Sequence, residues 1–214
     1  MDSKQREFKI SSDLKFSIPL GFHREKIIRF ISENLSAFSV EFVNSDAVAR
    51  AREIKKEDYI SQELSLFLNN MVATGGYLFT HQSIGPDIFV RQFGASVHSL
   101  ILLYIEAKRL YAAGKKNYVE SGIGRFKREE HGKQDDIAIM LGYMQEKTFS
   151  YWENKVNLWI GELINDQSQN PKWESQDKLT IVKISDVANY KSSHSRVEKK
   201  PIILYHFWIN LCRN

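Results

Sequence analysis

With 214 residues, 43% of them hydrophobic, the chain is long enough to bury roughly 70% of its unfolded surface in one compact domain, and no second domain is needed. The single cysteine, Cys212, excludes an intramolecular disulfide. Residues 1–6 lack the apolar core of a signal peptide, and the longest apolar runs fall well short of the ~20 residues of a membrane-crossing helix. A cytoplasmic protein with no membrane insertion is expected, carrying a modest net charge of +4.

In chain order, Ile27, Ile31 and Leu35 fall at helical spacing within 23–35, and 46–71 reads as one long or broken helix. In its second part Ile60, Leu64, Phe67, Leu68 and Met71 form an apolar stripe, which Gly75-Gly76 is suited to stop. At about 100° per residue Glu63 lies on the edge of that stripe, either as a rim glutamate or as a carboxylate in need of a partner. Residues 77–81 read as a first strand.

Two apolar, β-branched and aromatic runs follow, Asp87–Gln92 and Leu100–Lys108, separated by a Gly94-Ala95-Ser96 break. They read as an antiparallel hairpin that sets Asp87 opposite Glu106. Side chains alternate along a strand, so Glu106 and Lys108 point the same way and Asp87 can join them. Two carboxylates at such a distance repel unless a proton, a cationic neighbour or a metal ion intervenes. An oxygen-rich site of this kind suits Mg or Mn, an ion able to polarise a phosphoryl oxygen and lower the pKa of a bound water.

Between 107 and 133 the basic residues are Lys108, Arg109, Lys115, Lys116, Arg125, Lys127, Arg128 and Lys133, against Glu120, Glu129 and Glu130, a net of five positive charges. Taken alone a charge run is usually a solvated loop, but beside the acidic pair it fits a polyanionic backbone. Residues 118–126 read as an ordered loop whose Gly-x-Gly is no nucleotide fingerprint. Ile137, Met140, Leu141 and Met144 mark one amphipathic helix, and Trp152, Val156, Trp159, Ile160 and Leu163 a second. Residues 178–184 and 201–211 read as the last two strands, joined by a polar connection over 189–196. There His194 and Arg196 are auxiliary candidates for a phosphate or base. His131, His194, His206 and Cys212 lack the close pairing that structural zinc needs, and no serine sits in a Gly-x-Ser-x-Gly elbow.

Pro86-Asp87, followed by Glu106-Ala107-Lys108 closing an apolar strand, resembles the signature of the PD-(D/E)XK nuclease superfamily. The resemblance implies a restriction-endonuclease-like α/β core over 57–214, a mixed central sheet of about five strands flanked by helices; residues 1–56 match nothing in that signature and read as an N-terminal helical extension. It implies Asp87, Glu106 and the backbone carbonyl of Ala107 as ligands of Mg or Mn, and Lys108 as the catalytic lysine. It also implies a glutamate on the helix before the sheet, for which Glu63 is the matching candidate.

The expected activity is that of a metal-dependent nuclease with DNA rather than RNA as partner, acting as an endonuclease or an exonuclease. Lys115, Lys116, Arg125, Lys127, Arg128, His194 and Arg196 are its candidate nucleic-acid contacts. Many enzymes of this class act as homodimers, although this chain shows no dimerisation motif. The alternatives are a nucleic-acid-binding module without catalysis, and an interaction protein in which the Asp/Glu/Lys group is a buried network.

Overall fold

Helix α1 (Leu20–Asn44) carries Ile27, Ile31, Leu35, Phe38 and Phe42 on one stripe, and α2 (Glu57–Met71) carries Ile60, Leu64, Phe67 and Leu68, all buried. In the computed structural model, which describes residues 20–45, 57–72, 76–82, 85–92, 100–111 and 116–212, both stripes pack on one face of a seven-stranded sheet. The helix expected over 46–56, Gly75, the Gly94-Ala95-Ser96 turn and Lys115 lie outside the described residues.

The strands are β1 (Tyr77–His81), β2 (Ile88–Gln92), β3 (Leu103–Leu110), β4 (Ile137–Met144), β5 (Thr180–Ile184), β6 (Val187–His194) and β7 (Ile202–Asn210), in the order β1-β2-β3-β4-β7-β6-β5. The centre, β3–β4–β7, is parallel and both flanks are antiparallel. The far face is covered by α4 (Phe149–Asn165) and by π-helical turns over Tyr118–Ile123 that run into a short α3 (Gly124–Lys127). The molecule is therefore an α/β fold with a mixed sheet between helices. None of the described helices is long and apolar enough to cross a membrane.

Residues 118–126, expected as an ordered loop, are helical, and two further elements correct the sequence reading by raising the strand number among the described residues from five to seven. Residues 137–144 form the sheet's central strand, not a helix. A strand buried on both faces shows no period of two, and its apolar run imitates the i, i+3, i+4, i+7 pattern. Ile139, Leu141 and Tyr143 enter the core under α1 and α2, while Ala138, Met140 and Met144 enter the other. Gly142 is required there, since a Cβ would lie 2.3 Å from Trp208 Cδ1. The second correction is β6, read as a polar connection. Its polar residues Ser192 and His194 face inward and are fully hydrogen-bonded.

These residues belong to a continuous buried chain in the second core. Trp208 Nε1 donates to Tyr118 OH at 2.9 Å, and Tyr118 OH lies 2.8 Å from His206 Nδ1. Ser192 Oγ lies 2.6 Å from both His206 Nε2 and His194 Nε2. His194 Nδ1 meets Asp177 Oδ1 at 2.5 Å, and Lys127 Nζ donates to both Asp177 oxygens at 2.9 Å. The chain thus fastens both ends of the 118–127 helical segment to the sheet. On the opposite face Arg24 of α1 donates through Nε to Leu102 O at 2.9 Å and pairs with Asp135 and Asp136, so α1 is integral to the sheet's cover.

Candidate active site

The β2–β3 ladder runs from Ile88↔Ile105 to Val90↔Leu103, so one step further Asp87 stands opposite Glu106, as the hairpin arithmetic requires. Past the end of β2, the backbone of Ala107 on that edge has no strand partner. Side chains take its place: Asp87 Oδ2 accepts from Ala107 N–H at 2.7 Å, and Lys108 Nζ donates to Ala107 O at 2.7 Å. The same ammonium lies 2.8 Å from Glu106 Oε1, 3.0 Å from Glu57 Oε1 and 3.8 Å from Asp87 Oδ2. Its three N–H groups are thereby matched to Ala107, Glu106 and Glu57, leaving Asp87 as a near, purely coulombic neighbour.

Glu106 is fully buried and ringed by cations and donors. Oε1 also receives Arg125 Nη1 at 3.0 Å, and Oε2 lies 3.0 Å from His131 Nδ1. Burial pushes its pKa up, but the close approach of His131 and the hydrogen bond and charge of Lys108 outweigh this and hold it below the ordinary glutamate value. Asp87 goes the other way. Burial, reinforced by the charges of Glu106 and Glu57 and only partly offset by Lys108, pushes its carboxyl up to about 7. Lys108 is raised, because the charges of Asp87, Glu106 and Glu57 overcome the burial that opposes them.

The group opens on a cavity of about 450 Å³ whose walls include Asp87, Lys108, Arg109, Tyr111, Ser121 and Arg125. The helical segment reaches this wall because Gly122 lies against the Lys108 stem, where a Cβ would sit 3.4 Å from Lys108 Cγ and 2.6 Å from Met140 Cε.

Asp87, Glu106, Ala107 and Lys108 are thus brought together. Glu63 is half-buried on α2, and among the described residues no hydrogen bond or ion pair joins it to the group. Glu57, six residues earlier, fills the place expected of it and also accepts from Arg109 N–H at 3.1 Å. Glu57 was legible only as an acid ahead of the apolar stripe; reading 46–71 as one helix hid its position in the first turn. His131 had no local signal.

The candidate nucleic-acid contacts divide. Arg125 is at the site. Lys127 and His194 are in the core, each bound to Asp177, and cannot meet an external phosphate; a lysine and a histidine in a polar stretch gave no sign of the buried aspartate that draws them in. Lys116 pairs with Glu162 at 2.6 Å, and Arg128 with Glu130 at 2.6 Å. Arg196 donates to the carbonyls of Lys200 and Gly132, tying down a loop.

No family model, curated protein or solved structure matches this chain. Among the described residues no group of three or more His, Cys, Asp or Glu side chains is arranged to hold a metal ion. The donors themselves nevertheless fit one chemically. The carboxylates of Asp87, Glu106 and Glu57 and the Ala107 carbonyl are all hard oxygens of the kind Mg and Mn take, and all four already face one cation, the Lys108 ammonium.

Proposed function

We propose that this chain is a Mg- or Mn-dependent nuclease of the PD-(D/E)XK kind, built on a restriction-endonuclease-like core, that hydrolyses phosphodiester bonds of nucleic acid, DNA in the first instance. The observation that carries this reading is the convergence of Asp87, Glu106, Ala107 O and Lys108 Nζ at the mouth of a polar cavity. Asp87, Glu106 and the Ala107 carbonyl would hold the metal, with Glu57 as a further oxygen in reach of the same cation. The metal would supply Lewis-acid polarisation of a phosphoryl oxygen and an acidified water.

The chain's own side chains do the rest. Lys108 keeps a positive charge between the carboxylates and the cavity, where it meets charge developing on a phosphate and orients the attacking water. Arg125, hydrogen-bonded to Glu106 and partly exposed, offers a second cation to the same phosphate. Asp87 needs a counter-charge to stay ionised at neutral pH, which is the state a ligand requires.

The test is incubation with supercoiled and linear DNA in Mg, Mn and EDTA, comparing the wild type with Glu106→Gln and Lys108→Met. These replacements keep the buried volume that alanine would empty, and circular dichroism confirms that each variant is folded before its cleavage is read. Cleavage is expected with metal, none with EDTA, and a loss of about 100-fold or more in each variant. Full activity in either variant, or no cleavage by the wild type in any metal, overturns the reading.

A second reading has one observation in its favour: the internal saturation of Lys108 and the complete burial of Glu106, as in a structural ion cluster of an interaction module. In that case the wild type would not nick DNA in Mg or in Mn, whatever Lys108→Met does to the melting temperature.

A further inference from the structure

Arg109 and Tyr111 stand two residues apart at the end of β3, so they share a face, and the Arg109 guanidinium lies 4.4 Å from the centre of the Tyr111 ring. Arg109 is fixed in that stack from two sides. Its Nη1 donates to Gln145 Oε1 at 3.2 Å and its backbone N–H to Glu57 Oε2 at 3.1 Å. Both residues line the cavity that holds Asp87 and Lys108. We propose that this planar Arg–Tyr pair is a stacking platform for an unpaired base, and that the cavity takes single-stranded DNA or a frayed end in preference to intact duplex. This rests on the nuclease reading and names its substrate class.

Three observations converge on it. A base offers its aromatic face only when it is unstacked, so a half-buried tyrosine carrying an arginine has no use for a paired duplex but serves a loose nucleotide well. The polar side chains of Asn117 and Ser121 stand on the same wall, and among the described residues neither makes a hydrogen bond or ion pair. They are available to the edge of such a base.

The third observation is the shortage of free cations among the described residues. Of the basic stretch over 107–133, Lys108, Arg109 and Arg125 are at the cavity. Lys127 is buried, and Lys116, Arg128 and Lys133 are paired with Glu162, Glu130 and Glu198. A duplex-tracking surface neutralises many phosphates at once; this wall serves a contact of two or three.

The experiment is fluorescence anisotropy in EDTA, which stops hydrolysis, with a labelled short oligothymidine and a blunt duplex of equal length. The variants are Tyr111→Ala, Tyr111→Leu and Tyr111→Phe, each checked for an unchanged melting temperature. The single strand is expected to bind about 10-fold tighter than duplex. Tyr111→Ala and Tyr111→Leu should lose about 10-fold on the single strand only, and Tyr111→Phe should retain it. The salt dependence of single-strand binding should correspond to about two phosphate contacts, a log–log slope near −1.4.

Equal affinity for the two forms, or single-strand affinity untouched by Tyr111→Ala, overturns the platform. Metal-dependent cleavage then decides the other question separately. Duplex cleavage that survives Tyr111→Ala leaves the nuclease reading standing without the platform. Tyr111-dependent strand binding without cleavage in any metal leaves the platform standing without the nuclease.

Discussion

Asp87 holds a carboxyl that the fold would rather keep neutral. Its pKa rises from 3.8 to about 7, mainly through burial, so its ionisation opposes folding. The opposition is absent below the unfolded value near 3.8, grows as pH climbs and is complete above about 7. Asp87→Asn keeps an acceptor for Ala107 N–H and removes the charge. In EDTA the variant should therefore be more stable than the wild type by up to about 4 kcal/mol at pH 8, and by clearly less at pH 5, as urea unfolding would show. An equal or lower stability at pH 8 would contradict this account. At this scale much was legible: hairpin pairing and strand alternation suffice to bring Asp87, Glu106 and Lys108 together, because both depend on local sequence. Glu57 and His131 come from elements whose docking no local pattern encodes, and Glu63 was chosen on helical phase without knowing where α2 begins.

The 118–127 segment and strand β6 owe their places to buried hydrogen bonds. If His194 carries its proton on Nδ1, facing Asp177, its Nε2 accepts from Ser192, Ser192 accepts from His206 Nε2–H, and His206 Nδ1 accepts from Tyr118. Every donor in the chain then points toward Asp177. Histidine ¹⁵N shifts should show both rings neutral at pH 7, with His194 protonated on Nδ1 and His206 on Nε2. Burial lowers the pKa of both, against the pull of Asp177 on His194, and His206 lies well below the ordinary value. The unfolded chain therefore takes up these protons first. Their contribution to stability is intact above about pH 6.5 and is lost as pH falls below it, which acid-series unfolding of the wild type against Ser192→Ala and His206→Gln would register. Lys127→Met, stranding Asp177, should cost about 3–5 kcal/mol. The misreadings of β4 and β6 belong here too: burial on both faces erased the alternation of one, and inward polar residues disguised the other as a loop.

For the molecule as a whole, α1 is part of the main core. Its five buried apolar side chains contribute about 10 kcal/mol at roughly 2 kcal/mol each, comparable to the net stability of a domain. A chain reduced to residues 57–214 should lose cooperative unfolding by circular dichroism, whereas a freely dispensable extension would leave the melting curve unchanged. That helix was legible as a helix from its apolar spacing. Its seat on the sheet, fixed by Arg24 reaching Leu102, Asp135 and Asp136, was not, since those partners lie about 80 to 110 residues downstream.

Strand β7, last of the seven in chain order, lies between β4 and β6. Until residues 202–210 are in place the sheet exists only as two unjoined pieces, β1 through β4 and the β5–β6 ribbon. During synthesis the earlier strands must wait with their inner edges bare until β7 emerges, so exposure to self-association lasts through the making of β5 and β6.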